Sequence, residues 1–203
     1  MNLRGPLLTF LAFTLYAIPH SFLANSWVKR KAHIKLGKGS DRLYRFVYNI
    51  IGAITFIPVL AMPAVFPGVV LYRFNWPWLF MTSLLQLLGA AIILVGMLQT
   101  DVWHFLGIRQ LMNTENTSES RFVERGLYRY MRHPLYTGGL LLIWFLPMMT
   151  TSLLAFNLAA TLYLYIGSIF EERRLIAEFG EQYRNYQRQV PRFIPRPGRL
   201  PTA

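Results

Sequence analysis

The sequence predicts an all-α, polytopic membrane protein with about five transmembrane helices, the last two a helical hairpin, and a C-terminal amphipathic helix. Three observations carry this. Hydrophobic residues make up 54% of the chain and charged residues only 15%, against roughly 25% charged in a soluble domain. The apolar residues come in long blocks, each near the ~20 residues that a helix needs to span hydrocarbon. The basic residues gather between those blocks, as they do on the cytoplasmic side of membrane proteins.

The apolar blocks cover about 6–27, 46–71, 78–98, 135–150 and 152–170. Between the first two lies the basic loop VKRKAHIKLGKGSDRLYR, opposed only by Asp41. Between the second and third lies RFNWP, with the single Arg73, and a polar loop from Asp101 to Pro134 separates the third from the fourth. Pro58, Pro63 and Pro67 are expected to kink or break the second block. Trp76 and Trp78 stand at its outer boundary, where aromatic side chains favour the interface. No cleavable leader is expected from the first block, which follows only Arg4 and lacks a small-residue cleavage site. The chain reads as one integral-membrane domain over 1–203, with three membrane helices up to residue 98 and a ligand-binding loop, hairpin and cytoplasmic helix from 99 onward.

Charge decides how the last apolar region crosses. A single crossing would put the arginine-rich tail outside. A turn at Pro147 and the following TTS brings the chain back, and then every one of the 21 Lys and Arg except Arg4 and Arg73 lies on one face. The hairpin therefore predicts an external N-terminus and a cytoplasmic C-terminus. Both arms read as slightly short for a full crossing. Beyond them, EERRLIAEFGEQYRNYQRQVPRF reads as one amphipathic helix with Leu175, Phe179, Tyr183, Tyr186 and Val190 on one face. That helix suits either an anionic lipid surface or a lid over a site.

The net charge of +12 does not imply nucleic acid, because its distribution follows the membrane topology. The absence of cysteine excludes disulfides, thiolate metal sites and cysteine nucleophiles. His20, His33, His104 and His133 show no ligand spacing, so no metal site is expected. Scattered polar residues such as His20 and Gln86 read as hydrogen-bond partners between helices.

Chemistry concentrates at the open end of the hairpin, where antiparallel arms bring RHPLY and EERR together. His133 reads either as a cap for its loop or as a donor to an anionic ligand group beside a helix N-terminus. Pro134 suits the first helical turn. Gly138 and Gly139 suit either close helix packing or close approach of backbone to a ligand. Glu171 and Glu172 are either a boundary pair neutralised by Arg173 and Arg174 or carboxylates that hold a ligand or accept a proton.

Arg132-His133-Pro134-Leu135-Tyr136-Thr137-Gly138, an apolar hairpin, Glu171-Glu172 and a Phe-Gly-Glu-x-Tyr segment together resemble the membrane-embedded methyltransferases. That superfamily includes isoprenylcysteine carboxyl, phospholipid N- and methanethiol S-methyltransferases. HSFLANSWVKR and RLYRFVYNII look closest to the NnrU-like and methanethiol S-methyltransferase branches. The resemblance implies S-adenosylmethionine at the cytoplasmic face and a small thiol or lipophilic acceptor. It implies cofactor contacts at Ser120, Arg121, Phe122, Val123, Tyr128, His133, Pro134, Leu135, Tyr136, Gly138 and Glu171. Arg132 and Arg173 become candidate cations for lowering a thiol's pKa, and Glu172 a candidate base for an amine. Gly167 stands where isoprenylcysteine enzymes carry a substrate-facing arginine, which argues against a carboxylate acceptor. The rival resemblance is to NADPH-dependent sterol reductases, which are longer. A non-catalytic lipid-binding membrane protein is the other alternative.

Overall fold

The computed structural model describes residues 3–37, 40–100 and 122–195. Most of the 101–134 loop, with Ser120 and Arg121, lies outside the described residues. Apart from its loops, the described chain is helical with one pair of short strands. Four helices are long and apolar enough to cross a membrane, and their outward surfaces are apolar, with Leu15 73% and Ile18 65% exposed. Such surfaces suit hydrocarbon, as they far exceed what a water-facing monomer presents. The all-α polytopic expectation holds.

The chain divides into two compact units, residues 3–71 with 149–160, and Tyr72–Thr100 with 122–148 and 161–195. The first unit begins with α1 (Arg4–Ala24) and α2 (Ser26–Leu36). The basic stretch expected as a loop thus contains a helix. Asn25 caps it by accepting from the Trp27 amide at 2.9 Å, and Gly37, at φ 76°, ends it. Helix α3 (Ser40–Val65) runs unbroken through Pro58 and Pro63. No break falls at these two, as membrane helices tolerate proline where surrounding groups re-satisfy the backbone; the expected break falls before Pro67, where the helix ends at Val65. His20 and Tyr48 join α1 to α3 by a 2.6 Å hydrogen bond. Phe13, Phe56 and Phe156 meet edge-on or tilted in this unit's core.

Pro67 and Gly68, at φ 70°, follow α3. The end of the second apolar block is then a strand, β1 (Val70–Arg73), paired with β2 (Met148–Thr150). In the second unit, α4 (Trp78–Gln99) packs on α5 (Pro134–Trp144). A Cβ at Gly89 would meet the Gly138 carbonyl oxygen at 2.8 Å, and one at Gly138 would meet that of Gly89 at 2.6 Å. The absent side chains let the two backbones touch. Gln86 donates to the Leu142 carbonyl at 3.1 Å, and Gln99 accepts from the Leu127 amide at 2.8 Å.

The turn at Pro147 is as the charge pattern requires, but the hairpin is lopsided. Helix α5 has 11 residues, only ~16 Å of rise. Helix α6 (Thr151–Phe179) has 29 residues, ~43 Å, and continues through Glu171-Glu172, so this arm is not short. Nor is the C-terminal stretch one helix. Gly180, at φ 57°, separates α6 from α7 (Glu181–Gln189). Its apolar face is the one expected, yet Tyr183, Tyr186 and Val190 pack against Phe122, Leu175, Ile176 and Phe179 of the protein itself.

Leucine in place of Gly89 or Gly138 should cost about 1–3 kcal/mol through overpacking, lowering the melting temperature in detergent. Gly139 meets nothing within 4 Å, so Gly139→Ala should leave the melting temperature unchanged or slightly raised.

Candidate active site

Pro134 at the first helical position of α5 fixes the chain just after His133. The His133 carbonyl accepts from the Thr137 amide at 3.0 Å, opening the helix. The His133 ring forms no helix cap. It turns instead to α6, where Glu171 and Glu172 are adjacent. Consecutive helical residues point about 100° apart, so the two carboxylates meet different surroundings.

Glu172 is 3% exposed. Its Oε1 accepts from Arg132 Nε at 2.9 Å, His133 Nε2 at 3.1 Å and Arg192 Nε at 3.1 Å. Its Oε2 accepts from Gln187 Nε2 and an Arg192 terminal nitrogen, each at 2.8 Å. These five bonds surround a buried charge with the donors that burial demands. Arg132 is itself occupied, donating further to the carbonyls of Gln187 at 2.9 Å and Val190 at 2.6 Å.

Glu171 has a different environment. Its side chain is 35% exposed, its Oε2 lies 3.5 Å from His133 Nδ1, and it accepts from the Tyr136 hydroxyl at 2.9 Å. The His133 and Tyr136 rings stack with centroids 5.1 Å apart and planes 7° apart. Burial alone would lower the His133 pKa, but hydrogen bonds and charge from Glu171 and Glu172 outweigh it and hold the pKa above its ordinary value. Burial, then the nearby Glu171 charge, pushes the Tyr128 phenol up to about 12. Glu171 is thus a partly open carboxylate in an aromatic setting, suited to a cation.

Other expected residues fall elsewhere. Phe122 and Val123 line an open cleft of about 360 Å³ with Glu124, Arg125 and Arg129. Phe122 also stacks on Phe179, centroids 5.3 Å apart. The Tyr128 carbonyl accepts from the Tyr186 hydroxyl at 2.6 Å. Pro134 and Leu135 lie against Gly96, and Gly138 against Gly89 and Ile93. Gly138 therefore serves close helix packing. Both ring nitrogens of His133 face carboxylates, Glu171 at 3.5 Å and Glu172 at 3.1 Å. Arg173 is exposed and stacks on Phe170 at 5.7 Å. The pairing of Glu172 with Arg173 and Arg174 gives way to pairing with Arg132 and Arg192.

Gln187 and Arg192 were not anticipated as site residues. The signal for them was indirect: an acid embedded beside an apolar run needs cations from elsewhere. The turn at Gly180 returns the chain to supply them. Among the described residues no group of His, Asp and Glu could hold a metal ion.

Residues 84–182 match the phospholipid methyltransferase family. The chain is 37% identical over 111 residues to a methanethiol S-methyltransferase of Crocosphaera subtropica, a match covering 53% of this chain and 44% of that protein. It is 42% identical over 113 residues to methanethiol S-methyltransferase 2 of Bradyrhizobium diazoefficiens, covering 54% and 43%. A longer match, 28% identical over 190 residues, covers 92% of this chain and 72% of a methanethiol S-methyltransferase of a Pseudomonas species. The chain thus spans less than half the length of the first relatives it matches. No solved structure matches it at a significant level.

The raised His133 pKa gives a signed prediction. Protonation of His133 between its carboxylates contributes stability that is fully present below the unfolded value of ~6.5 and lost as pH rises through the higher folded value. Melting temperatures measured across this range should fall on the alkaline side. In His133→Gln that component of the fall should be absent.

Proposed function

We propose that the protein, whose residues 84–182 match the phospholipid methyltransferase family, is an S-adenosylmethionine-dependent methyltransferase of the membrane. Its acceptor is a small thiol or a lipophilic molecule. The observation that carries this reading is the partly open Glu171 carboxylate held between Tyr136 and His133. S-adenosylmethionine carries a cationic sulfur and an ammonium group, and such a carboxylate is their natural counter-charge. Names of the matched relatives support a thiol acceptor.

The residues present fit that cofactor. Glu171 would hold a cationic group, with Tyr136 and His133 fixing the carboxylate's direction. Phe122, Val123 and Tyr128, with Ser120 and Arg121 on the adjoining loop, are proposed to hold the rest. When bound, S-adenosylmethionine supplies an electrophilic methyl group on its sulfonium. The protein contributes orientation and exclusion of water at the helix ends.

Glu172 is a poor base for the acceptor, since both oxygens are saturated with donors. Arg132 is equally committed. A thiol suits such a site better than an amine, because it ionises near pH ~8.5 without a strong base. Arg173 is proposed as a nearby surface cation rather than a contact of the reacting atoms. Gly167 lies one helical turn before Glu171, and a Cβ there would meet nothing within 4 Å among the described residues; glycine itself offers no cation to receive a carboxylate.

The basic stretches support a bacterial-type inner membrane with the N-terminus outside and the site facing the cytoplasm. The exposed arginines of α7, Arg184 and Arg188, would face anionic headgroups.

The test is transfer of labelled methyl from S-adenosylmethionine, by protein in nanodiscs, to short alkyl thiols, phospholipids, prenylcysteine analogues and quinone-like lipids. Small thiols should be labelled. Glu171→Gln should weaken cofactor binding on the order of 10²-fold, as loss of a desolvated charge partner does. Tight NADPH binding with no affinity for S-adenosylmethionine or its demethylated product would overturn the reading.

A further inference from the structure

Residues 190–193 run alongside the His133 turn. The Arg132 amide donates to the Pro191 carbonyl at 2.9 Å, and the His133 amide to the Arg192 carbonyl at 3.1 Å. The Thr137 hydroxyl donates to the Phe193 carbonyl at 2.9 Å. Phe193 and Tyr136 both pack near the His133 ring, with centroids 5.8 and 5.1 Å from it. The segment therefore borders the histidine through main chain and side chain alike.

Arg192 fastens this segment to α6. Its fork grips both oxygens of Glu172, and its guanidinium lies over Tyr165 at 5.4 Å. A bidentate guanidinium fixes direction as well as charge. Arg192 and His133 also share one atom, Glu172 Oε1. A change in the Arg192 side chain therefore reaches the histidine ring through Glu172 Oε1.

We propose that Arg192 is a positioning residue of the methyl-transfer site, acting through Glu172 to set the placement and proton affinity of His133. The proposal rests on the functional reading above, in which His133 steadies the cofactor-facing Glu171. Arg192 itself does not touch the reacting atoms. Among the described residues, five ionisable groups touch the ring or share Glu172 with it. Glu171 and Glu172 come from α6, Tyr136 from α5, Arg132 from the histidine's own turn and Arg192 from the C-terminal segment. With Arg192 neutral, Glu172 keeps its negative charge but loses one of two guanidinium partners. His133 then holds its proton to higher pH.

The experiment combines histidine-labelled NMR titration of the whole protein in nanodiscs with calorimetric binding of S-adenosylmethionine. The variants are Arg192→Gln and Arg192→Lys. In Arg192→Gln the His133 titration midpoint should move up and cofactor affinity fall about tenfold, equivalent to ~1.4 kcal/mol. Arg192→Lys keeps the charge, so the midpoint should stay near its original value while affinity falls less. If Arg192→Gln does not fold, the double variant Glu172→Gln with Arg192→Gln removes the uncompensated charge. Its His133 midpoint should then lie below that of the unaltered protein. An unchanged midpoint in Arg192→Gln, or in the double variant, overturns the positioning role. The titration needs no ligand, so failure of the unaltered protein to bind S-adenosylmethionine would instead count against the functional reading.

Discussion

The constraint on which the site depends is the charge of Glu172, a carboxylate only 3% exposed. Burying such a group without partners would cost several kcal/mol. The structure meets that demand with groups from three places: Arg132 and His133 from the turn before α5, Gln187 from α7, and Arg192 from the segment beyond. The apolar cluster of Tyr183, Tyr186 and Val190 against Leu175 and Phe179, and the hydrogen bonds from the His133 turn to residues 191–193, hold the same elements together. Gly180 breaks the helix after α6, and the turn there lets Gln187 and Arg192 reach back to the acid.

The neighbouring acid gains from this arrangement. With Glu172 satisfied, His133 is held against both carboxylates, and its second ring nitrogen approaches Glu171 at 3.5 Å. Tyr136 stacks on the same ring and donates to Glu171. Glu171 remains 35% exposed. Two identical residues, adjacent in sequence, thus divide the labour by helical phase: one holds the fold and the other faces outward. The tight α4–α5 contact through Gly89 and Gly138 fixes the helix that carries Tyr136.

Much of this was legible in the sequence. Long apolar blocks and the placement of basic residues identify the membrane helices and the hairpin, because hydrophobic length and loop charge are direct physical requirements of a bilayer. The meeting of RHPLY with EERR followed from antiparallel arms. Of the three prolines in the second block, Pro58 and Pro63 lie inside the helix, where a membrane helix with neighbours tolerates them, and the helix ends before Pro67. The stripe from Leu175 to Val190 was right as a face but not as one helix, because periodicity does not register the single left-handed residue at Gly180. The division between Glu171 and Glu172 was not legible. It depends on partners 15 and 20 residues downstream, and no local pattern encodes that return. The same distance hid Arg192.

We propose that Glu172 is structural while Glu171 faces the ligand. Comparing the detergent melting curves of Glu172→Gln and Glu171→Gln tests it most directly. Glu172→Gln, which leaves Arg132 and Arg192 without their counter-charge, should destabilise by about 3–5 kcal/mol. Glu171→Gln, at a partly solvated carboxylate, should change stability by no more than about 1 kcal/mol. Equal losses, or a larger loss for Glu171→Gln, would contradict the account.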